Sequence, residues 1–304
     1  MTLKTTISLL ARASPLMRVL PISTLLICSF SALRAGEPGY SHDLSAWHEE
    51  LRPPRTDRVA RSIWLYAANY SRIEWRVSAV GGQVQARRSE KGEQKPGARP
   101  EFDPRAGRFH KPWAFARVDD GWLVAFNRGE FGAALYWFSR DGTHNYKISD
   151  HQVVDFISTP GGILAVEGLA HMNVSEGSLI RISRANGEQQ WKATSLTKLP
   201  FAPRAVSRRR DGILLITLSD SLVAVTPRDN AKVETLHADA DLAYLYPNSS
   251  ALTLDERKLY VGMLQFVGEF DLQTRNLRFL IPSKEFLNRL PKEEEHSIRI
   301  QEGR

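Results

Sequence analysis

The side chains best suited to chemistry are dispersed along the chain. Glu167, His171, Asn173 and Glu176 fall within the single stretch Glu167–Gly177. Carboxylate, amide and imidazole donors at that spacing suit a hard or borderline cation. The same residues are ordinary in a polar loop between two strands, and no other segment supplies a matching acidic set. Glu167, His171 and Glu176 are therefore weak metal candidates, and the expectation is a loop without a metal. Asp150, His151 and Asp155 form a similar small group. No nucleophile elbow and no glycine-rich phosphate loop is present, so no catalytic set is assigned.

Cations offer the other chemistry. Arg87-Arg88 and Arg208-Arg209-Arg210 are basic clusters able to meet an acidic protein partner. Phe109, His110 and Trp113 lie close in sequence to the first cluster, which gives it the arginine-plus-aromatic content of protein interfaces. Solvated loops have the same charge runs. Ser41–Leu51 carries a capping residue, early acids and a Leu44/Trp47/Leu51 stripe, which predicts a short amphipathic helix. Trp47 would anchor that helix on the domain or on a partner.

The first 35 residues contain Lys4, Arg12, Arg18 and Arg34 and no acid. A mostly apolar run, Val19–Leu33, follows the basic residues, and Ala32 and Ala35 precede the turn-rich Gly36-Glu37-Pro38-Gly39. This order predicts a secretory signal peptide over 1–35, with Met17 as an alternative start, and hence a periplasmic or secreted protein with no retained membrane span. A spanning helix needs about 20 apolar residues, more than this run supplies. The single cysteine, Cys28, lies inside the leader. Its removal leaves no thiol for disulfides, thiolate catalysis or metal ligation. The leader also holds four of the seven excess positive charges, so the mature chain has little claim on nucleic acid.

The elements that would position these residues repeat along the chain. Phe138, Ile182, Val225 and Phe270 each sit in an apolar strand that ends in a polar turn, and they are spaced 44, 43 and 45 apart. A second strand precedes each: Gly121–Phe126, Gly162–Val166, Gly212–Ile216 and Lys258–Met263. Weaker strands flank these pairs, as at Val153–Ser158 and His144–Ser149. Four short strands in a unit of about 45 residues is the proportion of a propeller blade. A divergent unit upstream takes Ile63–Tyr66 as its first strand and aligns Trp75–Gly81 with Trp137–Gly142. Its charge-rich insertion at 86–111 reads as a surface loop. Ser297–Gln301, in the tail 283–304, is a candidate closing strand.

Leu179–Gly187, followed by Trp191, resembles the strand–turn–strand signature of quinoprotein-like (PQQ-repeat-like) β-propellers, in which a tryptophan follows the turn glycine by four residues. The resemblance covers about residues 112–282 and implies a fold superfamily. A quinone-dependent dehydrogenase would add a vicinal cysteine pair and more blades, which this chain lacks.

These readings predict an all-β chain. It is a propeller of about five four-stranded blades over 58–304, preceded by a helix or linker at 36–57. The expected function is a monomeric, non-catalytic envelope protein that binds another protein and uses no cofactor. The alternative is a metal-dependent hydrolase of the propeller-lactonase kind, which would bring in a divalent cation.

Overall fold

The computed structural model describes residues 40–303, apart from 90–92, 94–96, 185–188 and 229–230. The leader expected at 1–35 lies outside the described residues. From Tyr40 an extended segment leads through a 3-10 turn at Leu44–Ala46 to β1 (His48–Glu50) and α1 (Arg58–Asn69). The hairpin β2 (Glu74–Val80) and β3 (Gln83–Ser89) follows. Three antiparallel four-stranded sheets come next. The first holds β4 (Ala114–Val118), β5 (Gly121–Asn127), β6 (Ala133–Ser139) and β7 (Asn145–Ser149). The second holds β8 (Val153–Thr159), β9 (Gly162–His171), β10 (Val174–Ser183) and β11 (Lys192–Leu199). The third holds β12 (Pro203–Arg208), β13 (Leu214–Leu218), β14 (Ser221–Val225) and β15 (Val233–Ala238). A short helix α2 (Leu242–Leu245) precedes β16 (Ser249–Leu252), β17 (Lys258–Gly262), β18 (Val267–Asp271), β19 (Leu277–Ile281) and α3 (Lys292–Glu302).

This is a five-bladed β-propeller. Each blade begins with its innermost strand, and β4, β8, β12, β16 and β2 succeed one another as packed neighbours. The repeat anchors Phe138, Ile182, Val225 and Phe270 occupy β6, β10, β14 and β18, the third strand of each regular blade, and all are buried. The core is correspondingly a series of layers between blades. One layer joins Leu164, Val166 and Leu179 of the third blade to Leu214, Ile216 and Val223 of the fourth. β13, Leu-Leu-Ile-Thr-Leu, is buried along its whole length because both faces of its sheet are covered.

The first blade departs from expectation. Ile63–Tyr66 is helical, within α1, and not a strand. Asp57 caps the helix by accepting the Ala60 amide, and Trp64, Leu65 and Ala68 lie on the face packed against Phe266 and Phe279. A short apolar run fits either period, and tertiary packing selected the helix. Trp75–Val80 belongs to an innermost strand rather than the third strand the alignment gave it. The amphipathic helix expected over Ser41–Leu51 is instead a three-residue 3-10 turn followed by β1.

Closure is made by the N-terminal segment. β1 adds a fifth strand to β19, and the Ala86 amide donates to His42 O at 3.2 Å along the outer side of β3. Ser297–Gln301 is not the closing strand but part of α3. Three glutamates in its first turn favour the helix, and Ile298 is its buried side chain. The insertion also does more than cover surface. Phe109 and Ala106 are buried against Trp122, Phe126 and Phe138, so part of 98–111 covers a face of the second blade beside the two-stranded first.

Candidate functional site

The innermost strands all start at one end of the channel, which fixes what faces that mouth. Three of the five blades begin with a proline-led step, Lys111-Pro112-Trp113, Ala202-Pro203-Arg204 and Tyr246-Pro247-Asn248. Proline tolerates the first position of a strand because its missing N–H is not needed by the ladder there. All nine residues line a cavity of about 760 Å³, with Glu74 and Arg76 of β2 and Gln152 and Val154 at the start of β8 completing the circuit of blades.

Charge in this cavity is unbalanced. Arg76, Arg108, Lys111, Arg128 and Arg204 line it against two carboxylates, Glu74 and Glu93. Both carboxylates are engaged: Glu74 Oε1 lies 3.7 Å from Arg76 Nε and 3.2 Å from Asn248 Nδ2, and Glu93 is paired with Arg87 at 2.7 Å. Arg204 has no carboxylate partner among the described residues. Its guanidinium lies 5.7 Å from the Tyr246 ring centroid, its Nε is buried without a hydrogen bond, and burial holds its pKa below the ordinary arginine value. Arg76 spends Nη2 on the Glu93 carbonyl and leaves Nε and Nη1 buried without a hydrogen-bond acceptor. A buried donor left unmade costs about 1–3 kcal/mol, more when charged.

Aromatic surface accompanies the charge. Trp113, 45% exposed, donates its indole N–H to Val154 O at 3.1 Å and so presents a fixed edge and face to the cavity. Tyr246 has φ 50°, the left-handed region that a tyrosine occupies at a cost of about 1–3 kcal/mol. That backbone places its ring beside Arg204.

The mouth is rimmed by the loops that join second to third strands. Glu167–Gly177, expected as a loop, is most of an extended hairpin. β9 runs to His171, β10 starts at Val174, and Met172 turns the chain with φ 50°. Gly168 and Gly177 face each other across it. A Cβ on Gly177 would lie 2.5 Å from Pro203 Cδ and 2.6 Å from Glu167 O, so glycine there allows the hairpin to press on the next blade. Ser175 Oγ fixes the same junction through Ser219 Oγ at 2.8 Å and the Ala202 amide at 3.1 Å. The hairpin tip carries Met172, 90% exposed, and Val174; Phe131 and Phe201 are exposed on the flanking loops.

The weak metal candidates do not converge. Glu167 accepts from Ser178 Oγ, His171 pairs with Glu130 of the second blade, and Glu176 stands opposite Leu169 between them. Register puts successive members of this set about two residues apart, roughly 7 Å. Asp150 pairs with Lys147, and His151 Nδ1 meets Ser149 Oγ at 2.8 Å. No group of three or more His, Cys, Asp or Glu able to hold a cation occurs among the described residues.

The partner-binding candidates separate to opposite ends. Arg87 and Arg88 sit on β3 near the mouth. Arg208–Arg210 lie at the far end of β12, beside a cleft of about 370 Å³. There Arg209 meets Asp211 at 3.0 Å and Glu256 at 3.6 Å, and the Arg210 amide donates to Glu256 at 2.7 Å, so this cluster staples the fourth blade to the fifth. Trp47 is buried, with its ring 4.8 Å from Trp75 and its indole N–H donating to Ser41 O at 2.8 Å. It is a core residue and offers no surface to a partner. Trp191 is likewise structural: its indole N–H and that of Trp137 both donate to Asp120 Oδ1, at 3.2 and 3.1 Å, and Arg184 covers its ring at 4.6 Å.

No protein-family model matches the chain, and no curated protein matches it. Among solved structures, an extracellular domain of a hybrid two-component system from B. thetaiotaomicron is 14% identical, with a TM-score of 0.44 over 64% of this chain and 24% of that one. A streptogramin B lyase is 16% identical, with a TM-score of 0.38 over 57% of this chain and 55% of the lyase. A catalytically inactive virginiamycin B lyase from Staphylococcus aureus, solved with quinupristin, is 14% identical, with a TM-score of 0.38 over 57% and 56%. The chain thus spans between a quarter and rather more than half of the length of these structures. No helix among the described residues is long and apolar enough to cross a membrane.

Proposed function

We propose that this chain is an exported, non-catalytic β-propeller that binds a protein partner on its mouth face, as scaffold, assembly factor or inhibitor of a secreted enzyme. One observation carries the reading: exposed apolar side chains gather at that end. Phe131, Met172, Val174, Phe201, Trp113 and Tyr246 are all exposed around the mouth, whereas the opposite turns expose only Val80 and Leu254 among the large apolar residues described. Loops from successive blades form one broad rigid surface there, and aromatic and methionine side chains are the usual anchors of interfaces. The kinship to quinoprotein-like propellers suggested by Trp191 adds fold and no activity. A lactonase-like hydrolase would need acidic and imidazole donors converging on the channel, and the donors here point to other partners.

Affinity capture from an envelope extract tests the reading, using the wild-type chain beside M172E and F131E with metal analysis of the purified protein. One stoichiometric partner retained by wild type and lost from both variants supports it. Equal capture by all three, or a tightly held divalent ion, overturns it.

A further inference from the structure

The cavity inside the rim has a chemistry of its own. Two arginines from different blades, Arg76 of β2 and Arg204 of β12, line one space, and each keeps buried nitrogens without a hydrogen bond. Arg76 already has Glu74 and the Glu93 carbonyl as partners, whereas Arg204 has no carboxylate among the described residues, and Arg108, Lys111 and Arg128 add charge at the same mouth. An anion would offset that excess charge and give Arg204 a partner, since guanidinium–carboxylate hydrogen bonds are among the strongest available to a protein. Beside the polar Asn127, Gln152 and Asn248, the wall carries apolar and aromatic surface from Trp113, Val154, Leu169, Ala202, Pro203 and Tyr246. A bare inorganic ion would leave that surface wet, and 760 Å³ is the size of cavities that enclose organic ligands.

We propose that the mouth cavity is a carboxylate-binding site whose ligand carries the carboxylate on an apolar or aromatic body. Arg204 is its central donor, held in place by the Tyr246 ring, and Arg76 closes on the group from the neighbouring side. The carboxylate can come from a free small acid or from the C-terminus of a protein, and the test separates the two.

Purified full-length chain is titrated calorimetrically with 3-phenylpropionate, its uncharged amide and inorganic phosphate. The acid is expected to bind about tenfold or more tightly than either control. R204M is expected to weaken the acid by a similar factor while leaving the melting temperature unchanged or raised, because it removes a buried charge that has no partner. Equal binding of acid and amide, phosphate as tight as the acid, or no saturable binding at millimolar acid overturns the proposal. So does R204M that binds normally or melts lower, since the arginine would then be structural. A short peptide ending in a free phenylalanine carboxylate separates the sources: tighter binding than the small acid assigns a protein C-terminus, weaker binding a free acid. M172E and F131E retain acid binding, so failure of rim docking and failure of this site are read separately.

Discussion

Removing the charge of Asp239 tests how the N-terminal segment is locked onto the ring. Arg52 donates to Asp239 at 2.5 Å and to Asp241 at 2.9 Å, and Arg61 of α1 pairs with Asp241. These contacts join residues 180 to 189 positions apart, tying the β1–α1 connection to the loop before α2. Burial pushes the Asp239 carboxyl up, but hydrogen bonds from His237 and Arg52 outweigh it and hold its pKa at about 2, against an ordinary 3.8. A carboxylate depressed in the folded state stabilises it above the unfolded pKa and loses that contribution as pH falls through the folded pKa. The shift corresponds to about 2 kcal/mol, present at pH 7 and lost between roughly pH 4 and pH 2. D239N keeps the shape of the side chain and removes the charge, while Arg52 keeps Asp241. It is expected to cost about 2 kcal/mol at neutral pH, a fall in melting temperature of roughly 4–8 °C. Urea unfolding of both proteins across the acid range gives a difference curve that cancels the other carboxylates. That difference should shrink toward zero as pH falls from about 4 to about 2. A difference independent of pH in this window would refute the assignment of the stabilisation to an ionised Asp239.

Three further substitutions test the packing around the site. W75A empties a fully buried position flanked by Tyr40, Trp47 and Phe286, and denaturant unfolding should show a loss of about 3–5 kcal/mol. G177A drives a Cβ into Pro203 and the Glu167 carbonyl and should cost about 1–3 kcal/mol, with faster amide exchange in β9 and β10. M172E alters a side chain that is almost wholly exposed, so its melting temperature should match wild type within about 1 °C while partner capture is lost.

The repeat of about 44 residues was legible because each unit is a local event. Alternating strands and tight turns are decided within a few residues, so Phe138, Ile182, Val225 and Phe270 mark the third strand of four blades without reference to the rest of the chain. The first blade was not legible. Ile63–Tyr66 and Ser297–Gln301 have patterns compatible with a strand, and they became helices through contacts with Phe266, Phe279 and each other that lie far away in sequence. The closing contacts, an isolated bridge at Asp43 and the three-residue β1, are too short to carry a pattern at all.

The candidate site was legible only in part. Trp113 and the hairpin residues drew attention as an aromatic and as possible ligands, and the basic insertion contains Arg108 and Lys111. Arg76, Arg128, Arg204 and Tyr246 were missed, although a proline-led step before an inner strand recurs at Pro203 and Pro247, one repeat apart. By itself the sequence determined the blade architecture and the repeat length, since each depends on short-range periodicity. Only the tertiary structure decided which residues share the mouth. Convergence there requires the ring to bring together strand starts separated by about 39 to 50 residues each, and no local pattern records which side chains remain without an acceptor once it has formed.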